Sequence, residues 1–202
     1  MKRARGDRPA DCPYVSKGGL KLAFALDHFN LSAAECVAAD FGCHKGGFTD
    51  CLLQHGAARV HAVDTGYGVL EWKLRNDPRV AAHERANFLH WQPPEPLDLV
   101  VIDGGWTPQR LSVPAALRAL KATGRILSLV KPQYEADRKD LVRGVLPEQR
   151  IEGIMRTVRD TLQDVASIRG EVLSPVAGSG GNREVWLLLA PPECGDNPKR
   201  SE

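Results

Sequence analysis

The chain has 202 residues, 43% of them hydrophobic and 26% charged, with a formal net charge of +2. That length and balance suit one globular domain with a substantial core. No apolar run reaches 18 residues, which excludes a transmembrane helix. The basic start Met1–Arg8 lacks a following apolar segment, which excludes a secretory leader, so a cytoplasmic protein with no membrane partner is expected. The five cysteines (Cys12, Cys36, Cys43, Cys51 and Cys194) are odd in number and contain no CxxC pair. A zinc site or disulfide framework is therefore not expected, and the histidines show no metal-ligand spacing either. Lys2, Arg3, Arg5 and Arg8 face only Asp7, so residues 1–12 read as a basic flexible arm that could touch phosphates or simply remain solvated.

Short apolar runs alternate with longer stretches of helical period, the pattern of an α/β domain with a mostly parallel sheet. A first helix is expected over 18–28, where Leu20, Leu22, Ala23, Ala25, Leu26 and Phe29 form an apolar face. Residues 35–40 read as the first strand, Gly46 to Gln54 as a helix after a glycine-rich turn, and Arg59 to Asp64 as the second strand. Val69 to Arg75 suits a short helix that stops near Asp77-Pro78. Val80 to Glu84 is the expected third strand and Leu97 to Asp103 the fourth. Val113 to Lys121 reads as a helix, Arg125 to Val130 as the fifth strand, and 147–164 as the longest helix. Ile168–Leu173 and Glu184–Leu189 are strand-like runs whose glycine-rich link is too short for a crossover helix, so they should form an antiparallel hairpin. The domain should span 13–190, and 191–202, with three prolines, reads as a flexible tail.

The run Asp40-Phe41-Gly42-Cys43-His44-Lys45-Gly46-Gly47-Phe48-Thr49 follows the first strand and opens a helix, where free backbone N–H groups can meet a ligand. It is not G-x-G-x-x-G, so the dinucleotide fingerprint fails. Asp40 and Asp64 would repel a pyrophosphate but welcome a sulfonium, an amino group or ribose hydroxyls. S-adenosylmethionine is therefore the expected cofactor. Asp40, Gly42, Gly46, Gly47, Phe48, Asp64, Asn87 and Asp103 are its expected contacts, with Asp64 on the ribose, Gly42 giving room to the methionine portion and Asn87 near the adenine. The bland alternative is a tight turn with no ligand.

Four ionisable residues stand where apolar elements begin or end. Lys21 lies in the first helix. Asp103 closes Leu99–Ile102, Lys131 closes Ile126–Val130, and Glu184 opens Val185–Leu189. A charge at the edge of a buried strand costs free energy unless it is paired or used. Each of the four taken alone could be an ordinary solvated or capping residue.

Several longer stretches carry a resemblance. Tyr14–Leu22, Gly46–Leu53, Ala62–Gly68, Leu129–Glu135 and Gly181–Glu184 are similar, in that order, to the motifs of the TlyA branch of the FtsJ-like ribose 2′-O-methyltransferases. The resemblance runs from about 13 to 190. It implies a Rossmann-like, class I methyltransferase fold, S-adenosylmethionine as donor and RNA as substrate, usually ribosomal RNA, free or in a subunit. It also implies a catalytic Lys–Asp–Lys–Glu tetrad, which by motif falls on Lys21, Asp103, Lys131 and Glu184. Lys131, at the end of an apolar strand, is then the expected general base. That role asks for a pKa brought toward neutrality.

The departures concern the substrate. Family members usually carry an N-terminal S4 RNA-binding domain, for which a dozen residues leave no room here. Recognition of RNA would then fall to the catalytic face, the basic arm or a partner. His44-Lys45 stands where Ser-Thr is usual, Lys17 where arginine is usual, and Gly104-Gly105-Trp106-Thr107 where Val-Ser-Phe-Ile is usual. Trp106 could stack on a base or pack normally. Two other readings stay open: an S-adenosylmethionine-binding RNA assembly factor with little turnover, and an O-methyltransferase for a small molecule.

Overall fold

A computed structural model describes residues 11–192. Its strands are β1 (Val37–Phe41), β2 (Arg59–Val63), β3 (Val80–His83), β4 (Leu97–Ile102), β5 (Leu120–Val130), β6 (Ser167–Leu173) and β7 (Val185–Ala190). Its α-helices are α1 (Gly18–His28), α2 (Gly47–Gln54), α3 (Trp72–Arg75), α4 (Gln109–Ala119), α5 (Pro132–Glu135) and α6 (Glu148–Leu162). The first ten residues of the expected basic arm and the last ten of the expected tail lie outside the described residues.

The strands form one sheet in the order β3-β2-β1-β4-β5-β7-β6. The first five run parallel, and β7 inserts antiparallel between β5 and β6. The mixed sheet expected from the two sequence patterns is thus present, with the terminal hairpin docked through its second strand. Helices cover both faces because the central strands are apolar on both sides. Leu99 and Val101 of β4 pack with Leu22, Leu26 and Leu52 on the α1–α2 side. Val100 and Ile102 pack with Val113, Ala116, Met155 and Leu162 on the α4–α6 side. Truncating Leu99, which is 2% exposed, to alanine should cost about 2–5 kcal/mol.

Most differences from the expected elements have local causes. Glu35 adopts a positive φ of 60°, so β1 starts at Val37 instead of 35. The helix expected from Val113 begins at Gln109, four residues earlier. Pro114 pulls a sequence reading toward a later start, since proline suits a first turn. The Glu135 carboxylate sets the true start by accepting the Gln109 N–H at 2.8 Å. Lys121, expected at the end of that helix, belongs to β5, which begins at Leu120, paired with Leu97. The short helix α5, which follows Lys131 directly, has too little length to leave a periodic signal.

β1 is the point where the chain turns from one half of the sheet to the other, with β2 on one side and β4 on the other. Open α/β sheets bind ligands outside the carboxyl ends of strands at such a switch point. Register completes the arrangement. Phe41 pairs with Ile102 and Val63, while Val130 pairs with Val185. Because β7 runs backwards, the residue before it and the residue after β5 lie at the same edge. Gly42, Asp64, Asp103, Lys131 and Glu184 are thereby gathered at one end of the sheet.

Candidate active site

A cleft of about 470 Å³ opens at that edge, and its walls include all four of Lys21, Asp103, Lys131 and Glu184. The size lies within the usual range for small-molecule sites, about 300–1,000 Å³. The four charges form two ion pairs. Lys21 Nζ pairs with Glu184 Oε2, with side chains 6% and 3% exposed. Lys131 Nζ pairs with Asp103 Oδ1 and lies 3.5 Å from the Gly104 carbonyl oxygen. Gly178 leaves room for the first pair, since a Cβ there would stand 2.2 Å from Glu184 Oε1.

Burial pushes the Glu184 carboxyl above its ordinary range, against the opposing pull of Lys21. Lys131 departs from expectation. Burial alone would lower its pKa, but the charge of Asp103, the hydrogen bond to it, and the charges of Glu184 and Tyr134 together raise it. The lysine of the free protein is therefore a held cation. The lowered pKa expected of a resting general base is not found.

The β1 turn supplies the other wall. Gly42 has φ of +86°, and a Cβ on it would stand 2.7 Å from the Asp103 carbonyl oxygen. Only glycine lets the turn pass that close to the end of β4. Asp40 is fully buried. Its Oδ2 accepts the Thr49 N–H at 2.9 Å and the Thr49 hydroxyl at 2.7 Å, while Oδ1 has no hydrogen-bond partner. Burial raises its pKa to about 7, over the lowering effect of Thr49 and with help from Asp103 and Asp64.

Gly47 and Phe48 line the cleft with Asp40 and Gly42, and the Phe48 ring lies 5.4 Å from that of Trp186. Asp64 stands outside this wall but is tied to it, since it accepts the His44 N–H at 2.8 Å and the Gly66 N–H at 2.7 Å. Gly46 points elsewhere: a side chain there would meet Leu70 and Leu74. Asn87 is exposed, and its Oδ1 accepts the Leu89 N–H at 3.0 Å within its own turn, so it is not brought into the cleft. Ser16, Lys17, Lys45, Gln133 and Tyr134 line the site without having been assigned to it from sequence. Their signal was adjacency, because all but Lys45 lie inside the motif stretches around Lys21 and Lys131. Trp106 is 78% exposed and rests on Tyr134, ring centroids 4.3 Å apart.

The walls suit the group that such a fold implies. An unmatched, fully buried carboxylate oxygen on Asp40 and a turn stripped of Cβ at Gly42 favour a ligand with a cationic amino or sulfonium group lying close to backbone. Switch-point cleft, glycine turn and acidic strand ends together define a Rossmann-like α/β domain whose cleft suits a ligand such as S-adenosylmethionine.

Sequence comparison agrees: the profile of the FtsJ-like methyltransferases matches residues 14–189, and the chain belongs to that family. It is 37% identical over 183 residues to a Bacillus subtilis protein named as a candidate rRNA methyltransferase, YqxC, covering 87% of this chain and 65% of that one. It is 36% identical over 182 residues to the 16S/23S rRNA (cytidine-2'-O)-methyltransferase TlyA of Mycobacterium tuberculosis, covering 87% and 68%. The chain thus spans about two thirds of the length of these relatives. Among solved structures, a hemolysin candidate from Streptococcus thermophilus superimposes with a TM-score of 0.86 at 37% identity, over 94% of this chain and 70% of that one. The N-methyltransferase NodS of Bradyrhizobium japonicum, at 15% identity and a TM-score of 0.63, shares the fold.

Proposed function

We propose that the protein transfers a methyl group from S-adenosylmethionine to a ribose 2′-hydroxyl of RNA, with ribosomal RNA as the substrate class. The observation that carries this reading is the meeting of two lysine–carboxylate pairs in one cleft beside the Gly42 turn. The ribosomal substrates named for the relatives support the RNA half of the reading.

When bound, S-adenosylmethionine supplies a methyl group already activated by its sulfonium. The protein's work is to align the acceptor oxygen and remove its proton. Asp40 and the Gly42 turn would hold the amino acid portion and Asp64 the ribose, with Asp103 beside Lys131 at the end of β4. Lys21, fixed by Glu184, donates a hydrogen bond to the acceptor oxygen. Lys131, steered by Asp103, takes the hydroxyl proton on Nζ as the oxygen gains its methyl. Because its pKa is raised, turnover draws on the small neutral fraction of Lys131.

Incubation with labelled methyl donor and unmodified ribosomal RNA, followed by digestion to nucleosides, tests the reading. Label in a 2′-O-methylnucleoside supports it. Label confined to bases, or label in small molecules alone, refutes it.

A further inference from the structure

Two further lysines line the cleft, and the chemistry above uses neither. Lys17 stands at the N-cap of α1, and Lys45 lies in the β1 turn, two residues before α2. Among the described residues neither has a carboxylate partner. The Lys17 ammonium meets the Ala177 carbonyl oxygen at 3.5 Å, and Lys45 is exposed. A lysine at an N-cap opposes the helix dipole, and no acidic residue in the first turn of α1 offsets it.

The two turns are held against each other. A Cβ on Gly47 would overlap Ser16 Oγ and stand 3.2 Å from the Gly18 Cα, so the starts of α1 and α2 are in contact. The backbone around Lys45 is pinned. His44 N–H donates to Asp64 at 2.8 Å, Gly46 N–H to the Cys43 carbonyl at 2.7 Å, and Glu71 N–H to the Lys45 carbonyl at 3.3 Å. Two unmatched cations thus sit on adjoining, fixed turns.

The charge balance asks for an anion from the substrate. Lys21 and Lys131 are already matched by Glu184 and Asp103. S-adenosylmethionine brings one carboxylate against an ammonium and a sulfonium, so it cannot neutralise both remaining lysines. RNA brings a phosphate with every nucleotide. Spacing selects which one. Lys17 lies four residues before Lys21, on the same helix face and about 6 Å along the axis. In RNA the 3′-phosphate hangs from the carbon next to the one that bears the 2′-hydroxyl. A hydroxyl held at Lys21 therefore brings that phosphate within reach of Lys17.

We propose that Lys17 and Lys45 clamp the phosphate on the 3′ side of the acceptor ribose, so that the phosphodiester backbone positions the 2′-hydroxyl against Lys21 and Lys131. This rests on the RNA 2′-O-methylation reading above.

The test begins by mapping the nucleotide that the wild-type protein methylates in unmodified ribosomal RNA. Wild type, Lys17→Ala, Lys45→Ala and Lys45→Arg are then compared on that RNA. Each alanine variant should raise KM for RNA about tenfold, leave kcat within about threefold, and flatten the slope of log affinity against log salt by about one. Lys45→Arg should stay near wild type. Melting temperature and affinity for S-adenosylhomocysteine should not move. Ethylation of single phosphates, which removes their charge, locates the contact: at the phosphate 3′ of the mapped nucleotide it should weaken binding to the wild type and matter little to the alanine variants. Unchanged KM and salt slope in both alanine variants overturn the inference, as does equal ethylation interference in all proteins. Loss of S-adenosylhomocysteine affinity also overturns it, because it would place these lysines on the cofactor carboxylate. Absence of any 2′-O-methylation by the wild type defeats the underlying reading, and the inference with it, at the mapping step.

Discussion

Lys21 and Glu184, 163 residues apart in the chain, form a buried ion pair in the wall of the candidate cleft. Helix α1 brings one partner and the start of β7 the other, so the pair joins the first helix to the last strand. Such a pair is weak evidence for stability but a strong constraint on geometry, because each charge depends on the other.

Breaking the pair from one side should therefore be costly. Glu184→Ala or Lys21→Ala alone should destabilise by about 3–5 kcal/mol, since each strands a buried charge. The double variant Lys21→Met/Glu184→Leu should recover a large part of that loss without recovering activity. Denaturant unfolding of the three proteins, read as a double-mutant cycle, checks this.

Asp40 makes a prediction about pH. Its folded pKa of about 7 lies above its unfolded value of about 3.9. The free protein therefore takes up a proton at this site on folding. The resulting stabilisation is present below the unfolded pKa and is lost as pH rises toward about 7. A ligand amino group favours the ionised form, so affinity for S-adenosylhomocysteine should rise between about pH 6 and 8 with release of a proton. Calorimetry in buffers of different ionisation enthalpy measures that proton. Asp40→Asn should remove both pH dependences.

Lys131 should show itself in the rate profile. With its pKa raised by Asp103, the neutral fraction grows tenfold for each pH unit through the alkaline range. Single-turnover methyl transfer should climb with a logarithmic slope near one. Asp103→Asn removes the charge that holds the proton, so its profile should level off at lower pH, at reduced maximal rate. Lys131→Arg should be inactive, since a guanidinium does not give up its proton.

Gly42→Ala tests the turn. The left-handed backbone and the 2.7 Å approach to the Asp103 carbonyl oxygen leave no place for a Cβ. A loss of about 1–3 kcal/mol is expected, with weaker cofactor binding, both readable from thermal melts with and without S-adenosylhomocysteine.

How much of this was legible in the sequence depended on range. The apolar runs ending at Asp103 and Lys131 marked β4 and β5, and strand ends in a parallel sheet fall at one edge without further information. Glu184 joined them because the short glycine-rich link forced an antiparallel return. Lys21 could be placed only by tertiary packing of α1 against α2, which no local pattern encodes. Asn87 was placed only by its position after β3; that its Oδ1 accepts the Leu89 N–H in its own turn is a local contact the sequence did not show. Gln133 was hidden for a different reason, since a buried acceptor without a partner is a property of the folded cleft alone.

The central claim is that the paired charges of this cleft move a methyl group to a ribose oxygen. Its most direct test is nucleoside analysis of unmodified ribosomal RNA incubated with S-adenosylmethionine and either wild type or Lys131→Ala, with S-adenosylhomocysteine binding measured for both. A 2′-O-methylnucleoside formed by the wild type and lost in Lys131→Ala, at near-equal S-adenosylhomocysteine affinity, is the predicted result. Equal yields of that nucleoside from the two proteins, or none from the wild type, would contradict the account.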